Sequence, residues 1–224
     1  MKTTLFIPTI NEIIGMKEIM PKIKREWVDE ILVVDGNSTD GTFEYAKANG
    51  YKVIRQKSKG LAGAYLDAAQ VAAGDVFIAF SPDGNSVPEV IPQLVSKMKE
   101  GYDMVIASRY CGGAKSEDDD LVTTFGNWML TKMINVAFGA HYTDSLIMYR
   151  AFKKELITMC SFNLATVMGG IEPQMSILCA KKKLKICEIP GDEPKRIGGV
   201  RKMNPLRNGS GILMLIVQEL FSKK

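Results

Sequence analysis

Short apolar runs alternate with longer stretches at helical spacing through the first half of this chain. Runs at 4–7, 30–34, 51–54, 75–80 and 103–107 read as strands, and 12–27, 42–49, 61–73 and 88–99 as helices. Gly50, Gly74 and Gly101 stand where C-terminal helix caps belong. This rhythm predicts an α/β fold of three layers with a mostly parallel central sheet, whose ligands sit at the strands' carboxyl ends. The second half loses the rhythm. A loop at 111–120 carries four acids, Glu117 to Asp120, and is followed by a long apolar helix at 121–138. A strand at 145–152, a helix at 172–182, a strand at 184–189 and an amphipathic helix at 209–221 complete the prediction. In that last helix Ile212, Leu215, Ile216 and Leu220 share a face, with Gln218 and Glu219 off it. The expected organisation is one domain over 1–204, with a half at 1–110 and a half at 111–204, and an appended helical segment at 205–224.

Three strand ends turn abruptly polar, and such a sheet makes them neighbours. After the first run come Pro8, expected to stop the strand, then Asn11 and Glu12 at the helix start. The second run ends at Asp35, followed by Ser38, Thr39 and Asp40, which can cap the next helix. An unpaired carboxylate at the end of a buried strand is costly, so Asp35 calls for a donor that capping does not supply. The fourth run ends in Ser81-Pro-Asp83-Gly-Asn85. If that tip is extended, Asp83 and Asn85 point the same way, and their oxygens suit Mg²⁺ or Mn²⁺. The competing reading is a plain turn, since Pro, Asp, Gly and Asn all form turns.

Composition narrows the function classes. The 224 residues fit one large domain, with 46% hydrophobic and 24% charged residues as in an ordinary soluble protein. Four cysteines without C-x-x-C spacing read as free thiols in a reducing compartment. A single histidine, His141, argues against a His-based metal cluster and a Ser-His-Asp triad. No apolar stretch approaches the ~20 residues of a membrane span, and the N-terminal run is too short for a signal peptide, so a cytoplasmic location is expected. Net charge is +4, yet residues 181–207 hold nine basic residues against three acids. Such a segment suits phosphate or an anionic membrane surface. Aromatics are not interleaved with these charges, which argues against nucleic acid. Neither a phosphate-loop motif nor a dinucleotide fingerprint is present.

Taken together, Pro8-x-x-Asn11-Glu12, Val-Val-Asp35-Gly-x-Ser38-x-Asp40-Gly-Thr42 and the Asp83 loop resemble glycosyltransferase family 2, inverting nucleotide-sugar enzymes of GT-A fold. The pattern is most similar to the dolichyl-phosphate mannose synthase and bacterial polyprenyl-phosphate branch. That narrower likeness rests on Ser108-Arg109-Tyr110, Asp144 through Tyr149-Arg150, Glu188-Ile-Pro190, and Arg196-x-x-Gly199-x-x-Lys202. The resemblance implies that Pro8, Asn11, Glu12, Asp35, Ser38, Asp40, Lys59, Ser81 and Asp83 surround the nucleotide-sugar. By the same resemblance Asp83 and Asn85 hold the metal, and Arg109, Arg150, Arg196 and Lys202 hold acceptor or donor phosphates. Ser81 departs from the family's D-x-D acid, which weakens the metal site or calls on another acid from 118–120.

The implied reaction is transfer of a sugar from a UDP- or GDP-linked donor to a polyprenyl-phosphate-type acceptor. Lipid monophosphate, with a second pKa near roughly 6, is already anionic and needs no base. A hydroxyl acceptor, as in surface polysaccharide or glycolipid assembly, needs one. Asp144 is the first candidate for that base and Glu172 the second, so Asp83, Asp144 and Glu172 form the expected catalytic set. A silent nucleotide-sugar-binding protein is a third reading. The basic segment and terminal helix fit peripheral contact with the inner face of the membrane, and the helix could equally dock on the core or pair two subunits.

Overall fold

A computed structural model describes residues 1–198 and 204–222. Seven strands form one sheet in the order β3-β2-β1-β4-β6-β5-β7. They are β1 (Thr3–Thr9), β2 (Glu30–Asp35), β3 (Lys52–Arg55), β4 (Val76–Ala79), β5 (Met104–Ser108), β6 (Arg150–Lys153) and β7 (Ile186–Pro190). All pairs are parallel except those of β6, which runs antiparallel between β4 and β5. The helices are α1 (Ile13–Ile19), α2 (Thr42–Ala48), α3 (Gly60–Val71), α4 (Ile91–Lys99), α5 (Leu121–Phe138), α6 (Glu155–Met159), α7 (Leu164–Gly169), α8 (Ile171–Lys181) and α9 (Pro205–Phe221).

Alternate strand residues feed two cores because successive side chains point to opposite faces. Leu5, Ile7, Val33, Ile78 and Val105 join Met16, Ile91 and Leu94 on one face. Phe6, Leu32, Val34 and Phe77 join Tyr65, Met175 and Leu215 on the other. The carboxyl ends of β2, β1 and β4 therefore lie side by side, as a parallel sheet requires.

Several expectations are corrected. The helix over 12–27 breaks after α1 into 3₁₀ turns at Met20–Lys22 and Arg25–Trp27, with Pro21 opening the first of them. β1 runs through Pro8 to Thr9. Its pairing with β4 ends at Phe6, so Pro8 faces a strand only on the β2 side, opposite Val34, and its missing N–H breaks no ladder towards β4. The strand over 145–152 shrinks to β6, because Asp144 Oδ1 takes the N–H groups of Leu146 (3.3 Å) and Ile147 (3.2 Å) and bends the segment into a loop. Helices α6 and α7 are too short for periodicity to reveal, though Asn163 caps α7 by accepting from Thr166 N at 3.1 Å. In α9 the buried face holds Ile212, Leu215, Ile216 and Glu219, while Leu220 is exposed. Glu219 reaches Lys181 Nζ at 2.9 Å, which makes its burial affordable, and α9 joins the main core.

Candidate functional site

At the ends of β1 and β2 the two loops are stitched together by polar contacts. Asn11, in the left-handed region at φ 52°, donates its N–H to Ser38 Oγ at 2.8 Å, and its Oδ1 accepts from Thr39 N at 2.8 Å. Glu12 N donates to Thr42 Oγ1 at 3.0 Å, and Ile13 N to Asp40 Oδ2 at 3.0 Å. Burial raises the Asp40 carboxyl, but the bonds from Thr42 and Ile13 outweigh it and hold the group below its ordinary value. Ser38 and Asp40 thus fix the loops at the ends of β1 and β2. Asp35 differs. It is fully buried, and its Oδ2 accepts from Ser38 N and Arg55 Nη1, both at 3.0 Å. Its Oδ1 has no hydrogen-bond partner, nor has Thr9 Oγ1 on the residue opposite in the sheet. Leaving a buried oxygen unsatisfied costs about 1–3 kcal/mol, so this pair is set for a donor from outside the protein. Pro8 is half-buried, Glu12 is buried, and Lys59 is exposed just before α3.

The segment after β4 is a turn, not an extended tip. Gly84 sits at φ +93°, and Asn85 N donates to Asp83 Oδ1 at 3.2 Å. Helix α1 presses against it: a Cβ on Gly15 would lie 2.3 Å from the Pro82 carbonyl oxygen. From above, residues 193–198 cross the turn. Ile197 N donates to the Asp83 carbonyl at 2.8 Å, and its side chain lies where a Cβ on Gly84 would fall. Arg196 Nη1 lies 3.4 Å from Asp83 Oδ2, while its Nη2 holds Asp118 Oδ2 at 2.9 Å. The Asp118 suggested by the acidic loop is thereby brought to the Asp83 turn through one guanidinium. Asp83 and Asn85 remain two hard-oxygen donors on one turn, and among the described residues no group of three or more His, Cys, Asp or Glu gathers to hold a metal.

A second polar cluster centres on Arg109. Its Nε and Nη2 grip both oxygens of Asp144 at 2.7 and 3.1 Å, and its Nη1 reaches Asp119 at 2.9 Å and Glu193 at 3.3 Å. Asp144 is fully buried. Burial opposes its ionisation, but the Arg109 charge and hydrogen bonds prevail and hold its carboxyl below the ordinary value. This overturns its reading as a base facing an acceptor: both its oxygens are engaged and none of its surface is open. Arg150 is likewise corrected. It is fully buried, donating to the carbonyls of Ser145, Ile147 and Glu172 and to Ser176 Oγ, so it braces the 144–149 loop against α8 and holds no phosphate.

A cleft of about 410 Å³ lies beside this knot. Its walls include Ser81, Asn85, Arg109, Asp118, Asp119, Glu172, Glu193 and Arg196, with Val122 and Leu130 of α5 and Pro205 and Ile212 of α9. Glu172 is in place there, in the first turn of α8, with Oε1 accepting from Tyr65 Oη at 2.7 Å. Lys202 lies outside the described residues. Asp119, one of the 118–120 acids offered for the metal, pairs with Arg109, and Glu193 is a cleft residue that the sequence did not single out. Burial, ahead of the opposing pull of Arg109, raises the Glu193 carboxyl, and Ser116 Oγ donates to it at 2.5 Å. The acid-basic run after Glu188-Ile-Pro190 was the only signal available, and it reads equally as surface.

Comparison with known proteins agrees with this geometry. The chain is 32% identical over 210 residues to the dolichol-phosphate mannosyltransferase of Pyrococcus furiosus, covering 85% of this chain and 56% of that protein, little more than half its length. It is 27% identical over 213 residues to the dolichyl-phosphate hexose transferase of Haloferax volcanii, covering 94% and 90%. The fold matches a Mycobacterium tuberculosis glucosyl-3-phosphoglycerate synthase, solved with Mn²⁺, UDP and phosphoglyceric acid, at a TM-score of 0.76 over 100% of this chain and 80% of that one, with 19% identity. The sheet with its one antiparallel strand is thus GT-A-like. With the family model for glycosyl transferase family 2 matching residues 4–163, the chain belongs to that family and is a glycosyltransferase.

Proposed function

We propose that the protein transfers a sugar from a nucleoside-diphosphate sugar, UDP- or GDP-linked, to a polyprenyl-phosphate-type acceptor. The observation that carries the donor half is the orphaned pair Asp35 Oδ1 and Thr9 Oγ1: a nucleobase N–H aimed at Asp35 would satisfy the buried carboxylate oxygen. Pro8 and Glu12 would flank the nucleoside. The diphosphate would then run towards the Asp83 turn, and Lys59 is on the exposed rim. Mg²⁺ or Mn²⁺ fits Asp83 and Asn85 as a cation that keeps several waters and shares the diphosphate oxygens. Such an ion supplies Lewis acidity to the leaving diphosphate. Arg196 would bring a further positive charge beside it.

The acceptor half supports a phosphate more than a hydroxyl. Asp144 is sealed against Arg109 and offers no open base, while Glu172 lines the cleft with its Oε1 accepting from Tyr65 Oη. An acceptor that is already anionic needs position and cations only. The relatives' names, both dolichyl-phosphate transferases, point the same way.

Apolar surface around the cleft fits a lipid tail and a peripheral position on a membrane. Leu121, Val122, Phe125 and Trp128 of α5 are 54–89% exposed, and Leu206 and Phe221 of α9 more than 80%. Lys132 is the one charged residue of α5 and Arg207 the one basic residue of α9, so the patch suits an anionic bilayer. Among the described residues no helix is long and apolar enough to cross a membrane. Pairing of two copies through this face is the second reading, and a concentration-dependent dimer by light scattering would favour it.

The test is incubation with labelled nucleotide-sugars and polyprenyl phosphate. Label is expected in the organic phase, with Asp83→Ala slower by about 10²-fold or more. No organic-phase label with any UDP- or GDP-sugar would overturn the proposal.

A further inference from the structure

Arg196 makes two unequal contacts, and the inequality has a consequence for the cation site. Its hold on Asp118 is short and multiple, with Nη2 at 2.9 Å and Nε at 3.3 Å from Oδ2. Its hold on Asp83 is a single long contact of 3.4 Å from Nη1. Asp118 also travels with the segment that carries Arg196, because Lys115 N donates to Asp192 Oδ1 at 2.9 Å and Glu117 N to the Glu193 carbonyl at 2.8 Å. The guanidinium can therefore leave Asp83 while it stays on Asp118. Its side chain is 22% exposed, so water can take up the contact it gives up.

Charge decides when that happens. Two residues before Asp83 stands Ser81, so this turn offers one carboxylate, which shares the Arg196 charge with Asp118. A bare divalent cation arriving at Asp83 meets Arg196 as a like charge at close range, in a partly buried setting where screening is weak. The same cation carried by a nucleoside diphosphate arrives with net negative charge and attracts the guanidinium. The geometry points to Arg196 as a displaceable counter-cation: it occupies Asp83 until metal and diphosphate come together, then turns on its Asp118 anchor to the phosphate oxygens. This inference rests on the donor reading proposed above and adds to it an order of binding.

The test measures Mn²⁺ binding to the full chain by electron paramagnetic resonance of the free ion, first without nucleotide. The unmodified protein is expected to bind Mn²⁺ weakly, Arg196→Met about tenfold more tightly, and Arg196→Lys, which keeps the charge, as weakly as the parent. Adding UDP or GDP is expected to tighten Mn²⁺ binding more in the parent than in Arg196→Met, and Asp83→Ala is expected to lose the site in every background. Thermal melts of the three Arg196 forms check that they fold alike. Equal Mn²⁺ affinity in parent and Arg196→Met overturns the inference, as does failure of Arg196→Met to bind at millimolar Mn²⁺ or survival of the site in Asp83→Ala. The transfer reading fails by a separate result, absence of sugar on polyprenyl phosphate, which leaves the split in metal affinity intact.

Discussion

The polar loops after β1 and β2 and the cluster around Arg109 are held in place by different means. On the donor side, two consecutive strand–loop–helix units are tied by backbone N–H bonds to Ser38, Asp40 and Thr42, over about one unit of sequence, as between Asn11 and Ser38, 27 residues apart. On the acceptor side one buried guanidinium, Arg109, gathers Asp119, Asp144 and Glu193 from 10, 35 and 84 residues away. The first arrangement is a set of neutral or singly charged bonds, each modest. The second is a buried charge knot, in which losing one member strands the others. The proposed donor side thus sits on a regular scaffold, while the proposed acceptor side depends on a small number of buried charge pairs.

The largest test of that contrast is Asp144→Asn. It should cost about 3–5 kcal/mol, read as a lower urea midpoint at unchanged slope, since it leaves Arg109 under-paired in a buried place. Asp40→Asn, its counterpart on the donor side, should cost about 1 kcal/mol. Equal losses would dissolve the distinction. Acid unfolding sharpens it. The Asp144 carboxyl lies below its ordinary value near 3.8 in the folded state, so its contribution is complete above that pH and disappears as pH falls below it. The acid limb of the unfolding profile should be shallower in Asp144→Asn than in the parent.

Smaller in free energy, but aimed at binding, is Asp35→Ala. Nucleoside-diphosphate affinity should fall about 10- to 100-fold by calorimetry, with a stability loss smaller than that of Asp144→Asn, because Oδ1 is unpaired in the free protein and only the Oδ2 bonds to Ser38 N and Arg55 Nη1 are lost. A large drop in melting temperature with unchanged affinity would make Asp35 a structural residue like Asp144. Smallest for the fold is the paired change Phe125→Ser and Leu206→Ser on the exposed apolar rim. Stability should move by about 0.5 kcal/mol or less. Partition onto vesicles containing anionic lipid should fall about tenfold in sedimentation, as expected for removing two large apolar contacts. Unchanged partition would remove this face from the membrane reading.

The positions of β1 to β5 and β7, the mostly parallel character of the sheet and the three polar strand ends could be read along the chain. Each follows from periodicity two or 3.6 and from where apolar runs stop, which are properties of neighbours in sequence. Asp35, Asp83 and Asn85 were visible for the same reason: they terminate strands that must be buried. What sequence could not decide was which charges would face each other. Asp144 and Arg109 looked like two separate site residues, yet together they form an enclosed pair. Arg150 looked like a phosphate ligand and became a brace between a loop and α8. Asp118 became a partner of Arg196 only because residues 115–117 pair with 192–193.

By itself the sequence determined the α/β rhythm, the polar strand ends and the single carboxylate of the Asp83 turn, because alternation and strand termination are local. Tertiary structure alone decided the antiparallel place of β6, the burial of Glu219 on the inner face of α9 and the exposure of an apolar face on α5. It also decided which of six charged side chains, Asp83, Arg109, Asp118, Asp144, Glu193 and Arg196, are paired. The reason is physical: whether a charge is a ligand or a strut depends on burial and on partners tens of residues away, and neither is a property of its own stretch of chain.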